Sequence, residues 1–144
     1  MDKYEVFVAI IKELIEIVNI LISVEQDKLN TMINNKLPLI ELCIKKEEAC
    51  LLRLRGIEQR REEEQKCLGL ANHSFQEILN DIPEKAKLVL KPLFEEFSHQ
   101  NRVLYSIVDS EKDLIAVNCH IMNLHNTDIS KESKDCRHFK SCSV

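Results

Sequence analysis

Phe7, Ile10, Ile11, Leu14, Ile17, Val18, Leu21 and Val24 recur at steps of three and four along the start of the chain. Residues spaced this way stack on one face of a helix, so the segment from Tyr4 to Asn30 reads as a long amphipathic helix. Val8, Ile15 and Ile22 widen the stripe, which gives this helix two neighbours to touch. At the rise of an α-helix it spans about 40 Å. The rest of the chain must supply elements long enough to cover it. With only 2 glycines and 3 prolines, the chain lacks the turn formers that an all-β fold draws on.

Asn34-Asn35 marks a joint, and Pro38 sits where the first turn of a helix tolerates it. The second helix is expected from Leu37 to Leu68, with a stripe of Ile40, Cys43, Ile44, Cys50, Leu51, Leu54 and Ile57. The stripe then fades into Gln59-Arg60-Arg61-Glu62-Glu63-Glu64-Gln65, a solvated helix end. Gly56 marks either close packing or a local weak point, because glycine is about 1 kcal/mol worse than alanine inside a helix. Gly69 is a helix stop.

Ser74-Phe75-Gln76-Glu77 has the pattern of a capping box and predicts a short helix near 75–80. Asp81-Ile82-Pro83-Glu84 starts another helix, which Pro92 should kink or split. The long third helix carries Leu90, Leu93, Phe94, Phe97, Leu104, Ile107, Val108, Leu114, Ile115, Ile121 and Met122, with Asn101 and Asn118 on the same face. From about Asn126 the chain turns polar and loses periodicity. Residues 126–144 are expected to form a disordered C-terminal tail after a helical domain over 1–125. The expected fold is all-α: a long antiparallel helical hairpin plus a third long helix, a three-helix coiled-coil-like bundle.

Composition narrows the function. Hydrophobic residues make up 44% and charged residues 31%, enough for a core and too apolar for a disordered chain. The net charge is −4 with both signs interspersed, so there is no basic stripe for nucleic acid. Lys12, Glu13, Glu16 and Asn19 interrupt the first apolar run, which excludes a membrane span. The features of a signal peptide are missing, so a cytoplasmic protein with reduced cysteines is expected.

No cofactor or enzymatic activity is expected, since two glycines cannot build a nucleotide loop and nothing supplies an oxyanion site. Cys119, His120, His125, Cys136, His138 and Cys142 offer zinc-type ligands, but their spacing matches no standard finger, and no metal is expected. Glu47-Glu48 and Glu62-Glu63-Glu64 read as solvated helix surface with ion pairs. Glu47 is the exception, because it interrupts the apolar stripe and should sit near the seam beside a lysine or arginine. Asn101 either fixes register on the seam or lies in water at its edge. Helices of about thirty residues cannot cover a third helix reaching Asn126, so Ile115, Ile121, Met122 and Leu124 are expected to stand partly exposed as a partner site. The alternatives are that they close the bundle end or make a homodimer.

The chain resembles the FlgN family of flagellar type III export chaperones over about residues 5–122. The likeness rests on Glu25-Gln26-Asp27-Lys28-Leu29 ending the first helix and Lys45-Lys46-Glu47-Glu48 in the second. Leu51, Leu54, Glu58, Arg60 and Arg61 follow, and the third helix carries Asn101-Arg102-Val103-Leu104-Tyr105-Ser106-Ile107-Val108. The resemblance implies a chaperone that holds the C-terminal region of hook-filament junction (hook-associated) proteins, prevents their early assembly and delivers them to the export apparatus. The implied client face is Asn101, Leu104, Tyr105, Val108, Ile115, Asn118, Ile121 and Met122. Pro38, Pro92 and the Cys/His-containing tail depart from the family pattern. The alternative reading is a homodimerising coiled-coil adaptor or structural protein.

Overall fold

The computed structural model describes residues 2–125, and side chains throughout that span except those of Asn118 and residues 121–125. The expected tail over 126–144 lies outside the described residues. The fold is all-α, with α1 Glu5–Ile33, α2 Leu37–Cys67, α3 Phe75–Asp81 and α4 Glu84–His125.

The joints follow from local chemistry. After α1, Asn35 takes a positive φ of 53°, its N–H donates to the Met32 carbonyl, and the Lys36 N–H donates to that of Thr31. Gly69 does the same after α2 at φ 74°, with Gly69 N–H to Lys66 and Leu70 N–H to Gln65. Both are Schellman stops, in which a left-handed residue turns the last orphan carbonyls onto donors. The capping box is present: the Ser74 hydroxyl accepts from the Glu77 N–H, and the Glu77 carboxylate accepts from the Ser74 N–H.

Pro92 neither splits nor ends its helix, since α4 runs unbroken from Glu84 to His125. Leu90 and Phe94, on either side of it, are locked in the core, and that burial outweighs the lost hydrogen bond. Gly56 packs against nothing, and a methyl group added there meets no atom within 4 Å. Gly56→Ala should therefore stabilise the fold by up to about 1 kcal/mol, read as a higher urea midpoint at unchanged m-value.

α1 is the middle element. Arg60 pairs with Glu13 and Arg53 with Glu16, and Lys28 lies 2.9 Å from Glu47, so α2 runs antiparallel to α1. Phe94 meets Phe7 edge-on at 6.2 Å, Gln100 donates to Asn19 at 2.6 Å, and Glu111 lies 3.5 Å from Lys28, so α4 runs parallel to α1. Among the described residues no Cα pair joins α2 to α4 within 8 Å. The two flank α1 and meet only through side chains. At about 1.5 Å per residue α4 is roughly 60 Å long, and its last turns run past the end of α1.

The apolar core fills one end. Tyr4, just before α1, and Phe7, Ile10, Ile11, Leu14, Ile15 and Ile17 of α1 meet Ile57 of α2, Ile78 and Leu79 of α3, and Ala86, Leu90 and Phe94 of α4. Phe75 stacks on Phe94 at 4.1 Å and meets Phe97 edge-on at 5.7 Å. The buried amide of Gln65 donates to the carbonyls of Leu70 and His73, tying the α2–α3 loop to this end.

α2 contributes less than its stripe suggests, because of its apolar residues only Cys43 and Ile57 are buried. Its single long partner covers a narrow arc, and Ile44 and Leu51 stay exposed. Cys43, Cys50 and Cys67 are free thiols. Cys119 is buried and disulfide-bonded. No helix among the described residues is long and apolar enough to cross a membrane.

Candidate functional site

Two features sit where α2 and α4 flank the second half of α1. The first is an apolar strip. Arg53 and Arg60 mark the flank of α2 that reaches Glu13 and Glu16 on the outer side of α1. Leu37, Ile44 and Leu51 recur every seven residues on the opposite flank, the one turned toward α4. They are 71%, 37% and 43% exposed.

On α4, Gln100 marks the outer flank through its bond to Asn19. Asn101, Val108 and Ile115, again seven apart, lie on the flank turned toward α2, with Tyr105 further round. Asn101, Leu104, Val108 and Ile115 are half-buried, and Tyr105 is 66% exposed. Of the expected client face, these five residues are therefore brought together on α4. The side chains of Asn118, Ile121 and Met122 lie outside those described, as do those of Leu124 and His125 and the tail residues Cys136, His138 and Cys142. Ile115 is half-buried, in keeping with the partial exposure expected of it, and its neighbour Val117 is exposed. The floor beneath the strip is closed, with Val18 and Leu21 of α1 fully buried.

The second feature is a buried polar knot. Lys28 on α1 lies 2.9 Å from Glu47 on α2, 3.5 Å from Glu111 on α4 and 3.8 Å from Glu25 on α1. Glu25 is 3% exposed and Glu111 is 5% exposed. Glu47 does sit at the seam beside a lysine, as its break in the stripe suggested. Glu25 and Glu111 were not anticipated, although a signal existed. The run Leu14, Val18, Leu21 continues by threes and fours to Glu25 and Lys28, and Leu104 and Val108 continue to Glu111 and Ile115. A charged residue at each seam position was the clue. The seam passes through Glu25, and Val24, assigned to the stripe above, is only half-buried.

Electrostatics divides the labour within the knot. Burial, followed by hydrogen bonds with Glu47 and Glu111, pushes the Glu25 carboxyl up to about 9, so it holds a proton at neutral pH. Burial also raises Glu111, against the opposing pull of Glu25 and Lys28. For Glu47, burial is outweighed by hydrogen bonds from Glu25 and Lys28, and its carboxyl falls below the usual range. For Lys28, burial is outweighed by the Glu47 hydrogen bond and three nearby carboxylates, and its ammonium is raised.

The sign for Glu25 follows from linkage. At a pH below 4.5, the ordinary value, folded and unfolded chains both hold the proton and the contribution is complete. As pH rises from there toward about 9, only the folded chain holds it, so stability falls. The melting temperature should therefore decline across this window, and Glu25→Gln should flatten the decline. An unchanged slope in the variant would place the proton elsewhere.

Comparisons with protein-family models, with curated proteins and with solved structures return no match to this chain.

Proposed function

We propose that the chain is a cytoplasmic holdase of the flagellar type III export class, which binds the C-terminal region of hook-associated proteins through the strip shared by α2 and α4. The observation that carries this reading is the apolar surface left exposed or half-exposed on both flanking helices: Leu37, Ile44 and Leu51 on α2, and Tyr105, Val108 and Ile115 on α4. Contiguous apolar surface of this kind is what an amphipathic client segment uses. The resemblance to the FlgN family supports the same reading and supplies the class of client. The site needs no cofactor. A client end that folds on binding gives back ordering entropy, so affinity stays moderate and release at the export apparatus stays easy. In the cytoplasm the Cys119 bond would meet thiol reductants that open it.

Binding of a hook-associated C-terminal segment, measured by calorimetry, should weaken by roughly tenfold or more in Val108→Asp and in Ile44→Asp, since each buries an unpaired charge against the client. Helical circular dichroism should hold, because both positions lie outside the core. Undiminished binding by both variants would remove the strip from the account.

A homodimer is the second reading, favoured by Leu42 and Leu52, which are exposed on other faces of α2. A tight dimer in sedimentation, with the strip occupied by a second copy, would support it over the client.

A further inference from the structure

The polar knot holds more acid than its cation can serve. Glu25, Glu47 and Glu111 face the single ammonium of Lys28. With all three acids ionised, two negative charges go uncompensated in a largely buried place. Lys28 donates one hydrogen bond, to Glu47; its approaches to Glu111 and Glu25 are 3.5 and 3.8 Å, ion pairs without a hydrogen bond. Glu25 Oε2 and Glu111 Oε1 are buried with no hydrogen-bond partner. A proton on Glu25 can give these two oxygens a partner in each other, and a bound cation would replace that proton.

One oxygen from each acid lies within 4.8 Å of the other two. Two oxygens bound to one calcium ion, each about 2.4 Å from it, can be at most about 4.8 Å apart. The three are thus within the span of a common coordination sphere. All donors are carboxylate oxygens on three different helices, and among the described residues no thiolate or imidazole joins them. This selects a hard cation over zinc or copper. Magnesium binds closer, at about 2.1 Å, and keeps its waters, which suits a knot between packed helices poorly. Three carboxylates binding through both oxygens supply the low end of calcium's usual six to eight ligands.

We propose that Glu25, Glu47 and Glu111 form a divalent-cation site of the calcium class that ties α1, α2 and α4 together, with Lys28 holding the ion's place until it binds. With Lys28 swung out to solvent, the ion leaves one uncompensated charge where the lysine left two, and it gives both orphan oxygens a partner. Lys28 is 18% exposed and has a route to solvent.

The test uses the full chain stripped with chelator and titrated with calcium, magnesium or manganese, followed by calorimetry and thermal melting. Calcium should bind one ion per chain and raise the melting temperature more than magnesium does. Glu25→Gln and Glu111→Gln keep the shape and lower the buried charge, so they should fold. Each should weaken uptake by at least what loss of an outer-shell partner costs, roughly tenfold, while Glu62→Gln on the solvated run should not. No uptake of any of the three ions, or uptake equal in the two buried variants and the wild type, overturns the site.

Discussion

Lys28→Met should destabilise the folded chain by about 3–5 kcal/mol at neutral pH, the cost of leaving buried charge without its partner. Lys28 is the one cation within ion-pair reach of Glu25, Glu47 and Glu111 among the described residues. Without it, Glu47 loses its 2.9 Å hydrogen bond, and the carboxyls of Glu47 and Glu111 face each other across the seam without a cation between them. The variant can escape by protonating, so the loss should shrink as pH falls into the carboxylate range. Urea unfolding of both proteins at neutral and mildly acidic pH measures the difference. Equal losses at the two values would mean that Lys28 acts through the packing of its stem and not through its charge.

The second large effect belongs to the other end of the molecule. Phe94 stacks on Phe75 at 4.1 Å, meets Phe7 edge-on at 6.2 Å and is almost wholly buried. Phe94→Ala should cost about 3–5 kcal/mol through lost transfer energy and the cavity left behind. The aromatic pairs add a further contribution. The cavity lies where α1, α3 and α4 converge, so the loss should appear as a lower urea midpoint, with α3 released first in hydrogen exchange. A loss below about 1 kcal/mol would mean that the neighbouring side chains collapse into the space.

Phe94 and Lys28 sum up a division of the molecule. Around Phe94 the bundle is closed by α3 and the α2–α3 loop and holds most of the buried apolar core, with Val6, Leu88 and Val89 exposed on its outside. Around Lys28 the same three long helices are held by charge, and α2 and α4 stand apart over a closed floor. That is where the apolar strip remains.

Much of the fold was legible because local chemistry and helical spacing agree. Asn34-Asn35 and Gly69 stop helices for the same physical reason, a residue at ease with positive φ. Ser74 and Glu77 form the cap that their spacing announced. Of the two outcomes expected of Pro92, the split did not occur, because local propensity cannot weigh the burial of Leu90 and Phe94 around it. The separation of α2 from α4 was not legible either. Stripe width says how many neighbours a helix has and not the angle between them, so Ile44 and Leu51 were assigned to the core. On the site, Asn101, Leu104, Tyr105, Val108 and Ile115 were implied by the resemblance to the FlgN family, but the apolar flank of α2 beside them was missed for this same reason. Glu47 was legible as a charge inside a stripe. Glu25 and Glu111 could be read only by extending their stripes one more turn, and their meeting depends on the register among three helices.

Hydrogen exchange on the chain with and without a hook-associated C-terminal segment tests the central claim most directly. The account predicts new protection over residues 37–51 of α2 and 101–117 of α4, with little change over the core face from Phe7 to Val18. Binding that leaves both strip segments unchanged, or a strip already fully protected by a second copy before the client is added, would contradict it.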